Sequence, residues 1–540
     1  MLLDIKQVSS LERIFLDGKC PMNEINGGTA LKGERISYQL AYRSDSVVYG
    51  KVSVKSELAD YVTVRSVGNV PSEIPAWEGH DDYYERTQPG LFPDVLFPLE
   101  NNVLSIKKQN WYSLWITADI PADISAGSYD IEITITADDF SASKTFTVEV
   151  MDAVLPEQTL IYTNWFHADC ISDFFGEPVF TERYWNILGE FMKAAVRTGM
   201  NMILTPVFTP PLDTQIGGER TTVQLVDVSK TADSYKFGFD KLRRWINLAR
   251  ECGIKYFEIS HLFSQWGAIA TPKVIADGKK LFGWETSATS DEYVEFLHAF
   301  LPELIEVLKQ EKVEKNTFFH VSDEPSAEQI ESYRAAKNII KDILKDFPII
   351  DALSEYELYE NGAVDCPIPC TNCAEEFVKR GYEHHWTYYC CGQHEKVSNR
   401  FFSMPLARTR IIGVQLYLYE MEGFLQWGFN FYNAHHSLRH INPYLVTDAD
   451  GTFPSGDSFM VYPYNDSAIE SIRCVVFHEA LQDMRALQLW EKLAGRKAVE
   501  KTIKKNFGEI TFEDYPRGEE NFNALRGLIN ENIKQNIIKS

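Results

Sequence analysis

Residues 318–326 read FFHVSDEPS and set Asp323 and Glu324 side by side where an apolar run stops, with Pro325 directly behind them. Neighbouring side chains of a regular strand point to opposite faces, so two adjacent carboxyls share a pocket only where the strand loses its pleat. Pro325 has no N–H and a fixed φ, and so helps to end the ladder there. Two acids in one pocket can divide labour: one stays protonated and donates to a leaving oxygen, while the other stays ionised and stabilises positive charge. Cleavage of a glycosidic bond needs that division. Where the sugar carries a 2-acetamido group, its own carbonyl oxygen can attack the anomeric carbon, and an enzyme carboxylate then orients and stabilises the oxazolinium. The competing reading is structural: acids after a strand favour the N-terminus of the next helix and merely cap it.

Other chemistry-bearing residues fall at comparable places. Asn164, Trp165, His167 and Asp169 follow one apolar run, His261, Gln265 and Trp266 follow another, Trp386 and Tyr388 lie within a third, and Trp427, Asn430 and Asn433 stand near a fourth. Indole faces suit the C–H surfaces of a sugar, and fixed donors suit its hydroxyls. Each of these tryptophans taken singly is more often a core residue than a ligand-binding one.

The elements that must position these residues come in two kinds. From about Ile36 to Val150 the pattern has period two: in YDIEITITADD, Ile131, Ile133 and Ile135 face one way, Asp138 and Asp139 turn the chain, and Phe146, Val148 and Val150 repeat the alternation. This predicts an N-terminal antiparallel β-sandwich over residues 1–155. After DAVLPEQ the period becomes helical: Tyr184, Ile187, Leu188, Phe191, Met192 and Ala195 share one face, and Gly199 stands where that helix stops. Further helices are expected near 240–252, 291–310, 326–346, 397–419 and 468–490, alternating with strands such as NMILTPVF, IKYFEIS, TFFHVS, PIIDAL, HWTYYC, GFLQWGF and DSFMVYP. A count of about eight strands, mostly followed by helices, predicts a (β/α)8 TIM barrel over residues 156–490, with chemistry at the C-terminal strand ends. Residues 491–540 read as a C-terminal helical extension. An open doubly wound sheet is the competing architecture, but no G-x-G-x-x-G follows the first strand and no phosphate-binding G-x-x-x-x-G-K-[ST] occurs.

Composition narrows the partners. Lys and Arg total 53 against 77 Asp and Glu, a formal charge of −24, which repels a nucleic-acid backbone. The N-terminal residues lack the apolar stretch of a secretory signal, and no window approaches the roughly 20 apolar residues that span a bilayer. A cytoplasmic location and no membrane partner are therefore expected. Five of the nine cysteines crowd into residues 366–391, yet Cys366, Cys370 and Cys373 lack the paired C-x2-C knuckles of a zinc site, so reduced thiols are expected. FHEALQ has Gln482 where a zincin needs its second His, and the calcium-like Asp448, Asp450 and Gly451 lack a closing Glu, so that segment reads as a turn. Cys390 with His394 has no further support as a thiol protease pair, and no cofactor is expected.

Read in order, ILTPVFTPPLDT, KYFEISHLFSQWGA, FFHVSDEPS, HHWTYYCCGQ, GFLQWGFNFY, GDSFMVYP and SIRCVVFHEALQDMRAL resemble the DUF4091 group of bacterial proteins related to glycoside hydrolase family 123. The resemblance covers nearly the whole chain. It implies a retaining β-N-acetylgalactosaminidase activity by substrate assistance, with Asp323 polarising the acetamido group and Glu324 as general acid and base. On that mechanism Tyr388 is expected to donate to the acetamido oxygen and Trp386 to form a pocket wall. Trp165, His167, Asp169, His261, Gln265, Trp266, Trp427 and Asn430 complete the expected binding residues. The expected partner is an N-acetylhexosamine-containing glycan, GalNAc favoured over GlcNAc. A non-catalytic carbohydrate-binding barrel, or a conventional retaining glycosidase with a carboxylate nucleophile, are the alternatives.

Overall fold

Alternation sorts the first part of the chain into two sheets. The computed structural model describes residues 3–21, 23–137, 140–231 and 234–539, so the turn expected at Asp138 and Asp139 lies outside the described residues. Strands β1 (Leu3–Ser9), β2 (Gly27–Lys32), β3 (Arg35–Ser44), β4 (Val48–Lys55), β5 (Val62–Ser72), β6 (Gly90–Pro98), β7 (Val103–Ile106), β8 (Tyr112–Asp119), β9 (Gly127–Ala137) and β10 (Phe140–Val154) form two five-stranded sheets, in the orders β1-β3-β8-β5-β6 and β2-β10-β9-β4-β7. Ile131, Ile133 and Ile135 of β9 meet Tyr38, Leu40, Leu114 and Ile116 of the other sheet in a shared core, and Tyr38 stacks on Phe146 at 4.2 Å. One pairing departs from the expected antiparallel pattern: β2 runs parallel to β10. The long connection between β1 and β2 gives the chain room to enter in that direction, which a tight hairpin does not.

The sheet containing β8 is buried on both faces. Val67, Val70, Phe92, Val95, Leu96 and Trp115 on its outer face belong to the same apolar cluster as the helices of the following domain. That is why β8 is buried from Ser113 to Ala118, with polar Ser113 and Thr117 included. Arg473 adds a fully buried ion pair across this boundary, its Nε 2.8 Å from Asp94 Oδ1.

The second domain alternates short strands with helices. Its strands are β11 (Ile161–Asn164), β12 (Met202–Thr205), the hairpin β13 (Asp227–Lys230) and β14 (Tyr235–Gly238), β15 (Tyr256–Ile259), the hairpin β16 (Val274–Ala276) and β17 (Lys279–Phe282), β18 (Thr317–Phe318), β19 (Ile350–Ala352), β20 (Cys366–Ile368), β21 (Trp386–Tyr388), β22 (Gly423–Gln426), β23 (Val461–Tyr464) and β24 (Ser467–Glu470). Six of them make one parallel sheet in the order β18-β15-β12-β11-β22-β21, a curved half-barrel, while β19 and β20 form a separate parallel pair. Isolated parallel bridges, Phe319 to Ile349 and Cys370 to Tyr388, join that pair to the chain beyond β18 and to β21.

The helices are α1 (Ala168–Phe175), α2 (Glu182–Arg197), α3 (Asp240–Cys252), α4 (Asp291–Gln310), α5 (Ile330–Ile340), α6 (Tyr356–Glu360), α7 (Thr371–Lys379), α8 (Leu406–Arg410), α9 (Ile412–Leu418), α10 (Ile472–Ala494), α11 (Arg496–Phe507) and α12 (Glu519–Lys539). The helix expected over 397–419 starts only at α8, whose N-cap Pro405 is itself non-helical, with ψ of 141°. DSFMVYP, expected as a strand of the parallel set, instead contributes β23 to an antiparallel hairpin with β24. α12 reaches back to the first domain, where Arg526 pairs with Glu34 at 2.6 Å and Asn530 bonds Thr29.

β22 lies between β11 and β21, and Gly423 opens it. A Cβ built on Gly423 would stand 2.0 Å from Trp386 Cδ2, so the indole lies directly on this backbone. Gly423→Ala is expected to destabilise the domain by about 1–3 kcal/mol through overpacking, read as a lowered thermal midpoint.

Candidate active site

Strand β18 ends at Phe318, yet the chain stays close to its neighbours as far as Asp323, whose carbonyl accepts from Trp266 N–H at 3.3 Å. Glu324 then turns left-handed, with φ at +43°. A non-glycine residue there costs about 1–2 kcal/mol, and Pro325 biases its predecessor towards an extended shape instead. The turn breaks the pleat between the two acids, so that both border one cavity. Helix capping does not account for them: Ser326 and Gln329 form the capping box of the next helical turn.

The cavity has a volume of about 190 Å³ and is bordered by Asp323, Glu324, Trp165, Gln265, Trp266, Tyr388 and Trp427, together with Asp213, Cys390, Cys391, His435 and Phe453. Asp323 is half-buried, and its carboxylate has no hydrogen-bond partner among the described residues. Burial, and then the neighbouring Glu324 charge, push its pKa well above the usual carboxylate range, with the His320 cation opposing them. Glu324 is exposed as a residue, but its carboxylate accepts from the buried Tyr388 hydroxyl. The Asp323 carboxyl therefore holds its proton above the pH at which an ordinary carboxylate loses it. Tyr388 was expected to donate to a ligand's acetamido oxygen; its hydroxyl is instead committed to Glu324.

The remaining expected binding residues stand behind the wall. His167 is buried, its Nε2 2.8 Å from the Trp427 carbonyl and its Nδ1 3.0 Å from Arg220. Burial, with the Arg220 charge, lowers its pKa to about 3, so it is neutral. Asp169 accepts from Nε and Nη2 of Arg220, at 2.7 Å each. Asn430 clasps the His167 backbone, accepting from its N–H at 2.8 Å and donating to its carbonyl at 3.0 Å. These three support the loop that carries Trp427, and they do not reach the cavity. Trp386 does not wall the cavity either: it is packed on Gly423 at the other end of its strand. His261 is buried with its ring 4.2 Å from that of His320 and nearly parallel to it, and neither of its nitrogens has a partner among the described residues.

Beneath the acidic pair lies a group absent from the sequence reading. His320 Nε2 sits 2.5 Å from Glu258 Oε1, and its Nδ1 sits 3.0 Å from Asp351 Oδ1. Burial opposes the imidazolium, but the bonds to Asp351 and Glu258 outweigh it and hold its pKa at about 10. Glu258 also accepts from Trp165 Nε1 at 2.8 Å and from Thr163 at 2.6 Å, while Asp351 accepts from Tyr333 at 2.5 Å and from the Val321 N–H at 3.2 Å. The cavity wall and the acidic segment are therefore tied to one buried cation. The signal available in sequence was the charge itself: Glu258, His320 and Asp351 each interrupt an otherwise apolar run, where buried ionisable groups are rare unless paired.

Two groups of side chains among the described residues bring His and Asp ligand atoms close enough to share an ion. In His261, His320 and Asp351 both nitrogens of His320 are already committed, and the stacked rings keep their in-plane lone pairs from converging. The other, Asp213, His435 and His436, lies at the cavity rim. All nine cysteines are free thiols. Asp448 closes a turn by accepting from the Gly451 N–H at 3.0 Å.

Adjacent acids over an indole-walled cavity, at the C-terminal ends of parallel strands, define a glycosidase type of site. Residues 165–490 match the glycoside hydrolase 123 catalytic domain, and residues 20–137 match the glycoside hydrolase 123 N-terminal domain. The chain belongs to glycoside hydrolase family 123 and is a glycoside hydrolase. Among solved structures it is similar to a family 123 glycoside hydrolase from Clostridium perfringens, studied for glycolipid glycan hydrolysis, at 18% identity and a TM-score of 0.73, over 100% of this chain and 98% of that one. A putative β-galactosidase from Bacteroides fragilis aligns at 11% identity and a TM-score of 0.32, over 82% of this chain and 58% of that one. An endo-β-1,4-mannanase from Thermotoga petrophila aligns at 14% and 0.34, over 61% and 77%. The last two share too little of the backbone course to bear on this chain. No curated protein matches.

Proposed function

We propose that this family 123 enzyme removes a terminal β-linked N-acetylhexosamine, GalNAc in preference to GlcNAc, with retention and by substrate assistance. The observation that carries this reading is the placement of two unlike acids on one cavity: Asp323 without a protein partner, and Glu324 in the grip of Tyr388. Asp323, with its raised pKa, holds a proton in the free enzyme. When an acetamide N–H bonds to Asp323, it favours the ionised carboxylate there, and the proton belongs on Glu324, beside the leaving oxygen. The acetamido carbonyl then attacks the anomeric carbon as the glycosidic bond breaks and Glu324 protonates the departing oxygen. Water, deprotonated by Glu324, opens the oxazolinium in the second step and restores the starting configuration. The Tyr388 hydroxyl stabilises Glu324 in its ionised state between the steps. Trp165, Trp266 and Trp427 offer ring faces to the sugar.

The architecture proposed for this site is a (β/α)8 barrel, in which the bridges at Phe319 and Cys370 complete the circuit from the half-barrel through β19 and β20. Glycan chains of glycolipids, the subject of work on the Clostridium perfringens enzyme, are proposed as the natural source of the sugar. The nine free thiols support a reducing, cytoplasmic setting, and no helix among the described residues is long and apolar enough to cross a membrane.

The test is a panel of 4-nitrophenyl β-GalNAc, β-GlcNAc and β-Gal with wild type and Asp323→Asn. The wild type should cleave the N-acetyl sugars and leave β-Gal intact. Asp323→Asn should lose about 100-fold or more on the N-acetyl substrates. Cleavage of β-Gal at a similar rate would replace this mechanism with a carboxylate nucleophile, and an Asp323→Asn variant at full rate would remove the role given to Asp323.

A further inference from the structure

One group at the cavity rim has ligand chemistry that hydrolysis does not use. Consecutive side chains normally diverge, yet His435 and His436 bring their rings to 3.7 Å between centroids. They do so because His436 and Ser437 are both left-handed, with φ of +59° and +54°. Asp213, on the loop after β12, is left-handed as well, with φ of +39°. The two loops are locked in this shape by four bonds. Asp213 N–H donates to Gln265 Oε1 at 2.6 Å, His436 N–H to Asp213 Oδ2 at 3.1 Å, Ser437 Oγ to the Asp213 carbonyl at 2.7 Å and Gln215 N–H to the His436 carbonyl at 2.9 Å. Three non-glycine residues held left-handed are costly, and such strain persists where the surroundings over-determine it.

What these bonds leave free is the ligand set. Asp213 Oδ1 faces His435 Nε2 at 3.8 Å, and apart from that contact the ring nitrogens of His435 and His436 have no partner among the described residues. One ligand atom from each of the three residues lies within 4.8 Å of the others. Gln265, only 2% exposed and bordering the same cavity, has an Nε2 donor with no partner, and so lacks an acceptor on that side.

We propose that Asp213, His435 and His436 bind a divalent ion of the zinc class at the rim of the cavity. Two imidazoles and one carboxylate suit Zn²⁺ and its first-row neighbours, whereas Ca²⁺ and Mg²⁺ call for oxygen ligands. The ligand atoms, within 4.8 Å of one another, must close to the roughly 3.4 Å edge of a zinc tetrahedron. Three protein ligands leave a fourth position open. Asp213, His435 and Gln265 all border the cavity, so an oxygen on the ion would have Gln265 as a donor there and a sugar hydroxyl could take its place.

The experiment is a calorimetric titration of Zn²⁺ into the metal-free full chain, with Co²⁺ absorption as the second reading. One saturable equivalent is expected, with a cobalt spectrum of nitrogen and oxygen ligands. His435→Ala, His436→Ala and Asp213→Asn should each weaken binding about tenfold or more, since even outer partners of metal ligands contribute that much. Asp213→Asn keeps an acceptor for the His436 N–H, which guards against loop collapse. Absence of saturable binding would overturn the proposal. So would a thiolate charge-transfer band that the His variants leave unchanged, because the ion would then sit on cysteines such as Cys390 and Cys391. The titration contains no substrate, so its outcome is independent of the hydrolytic reading.

Discussion

Glu324→Gln is expected to slow hydrolysis of an unactivated β-N-acetylhexosaminide by about 100 to 10,000-fold, the contribution of a positioned general acid. The carboxamide is isosteric and its oxygen still accepts from Tyr388, so the left-handed turn and the melting temperature should be kept while the proton donor is lost. A 4-nitrophenyl leaving group needs little protonation, and the variant should retain a larger share of its rate on that substrate. The pH profile supplies a separate reading. In the wild type the alkaline limb of kcat/KM reports loss of the proton that Asp323 holds and passes to Glu324 on binding, and because burial and the neighbouring charge raise Asp323, that limb should lie above the ordinary carboxylate range. In Glu324→Gln the limb should disappear. Wild-type turnover of the unactivated substrate by this variant would end the assignment of Glu324 as the acid.

The acidic pair was legible in sequence because a strand end, two adjacent acids and a proline together specify a break in the pleat. The period-two pattern of Ile131, Ile133 and Ile135 likewise located the first domain, and the helical period from Tyr184 to Ala195 located α2. What a one-dimensional pattern does not carry is the direction a polar side chain faces once a loop folds. His167, Asp169 and Asn430 follow β11 or β22 as binding residues would, yet Arg220, from a distant loop, draws His167 and Asp169 together behind the wall, and Asn430 closes on the His167 backbone. Trp386 lies at the start of β21 and Tyr388 at its end, so residues of one strand face opposite fates, core and cavity. Asp213 and His435 sit in segments with no periodicity at all, and only the meeting of two loops brings them to the rim. DSFMVYP read as a strand correctly in type, but pairing partner is a property of the whole chain, and β23 pairs with β24 outside the parallel set.

His320→Ala should destabilise the second domain by about 3–5 kcal/mol, the cost of leaving a buried charge without its partner. Glu258 and Asp351 would then remain in the interior on either side of an empty space, with no cation between them. Urea unfolding at neutral pH measures the loss. A double variant, His320→Ala with Glu258→Gln, should recover part of it by removing one of the stranded charges, which a simple cavity effect would not allow. The pH dependence has a definite sign. His320 has a raised pKa, so its stabilisation is complete below the unfolded value of about 6.5 and is lost as pH rises through about 10. The wild type should therefore lose more stability than His320→Ala across that window. The same cation also opposes the rise in the Asp323 pKa. Its removal should move the alkaline limb of catalysis still higher and weaken the ionised form of Asp323 on which substrate assistance depends. A variant that lost stability but kept the wild-type pH profile would make His320 a purely structural residue. A shifted profile identifies it as the group that positions the proton between Asp323 and Glu324.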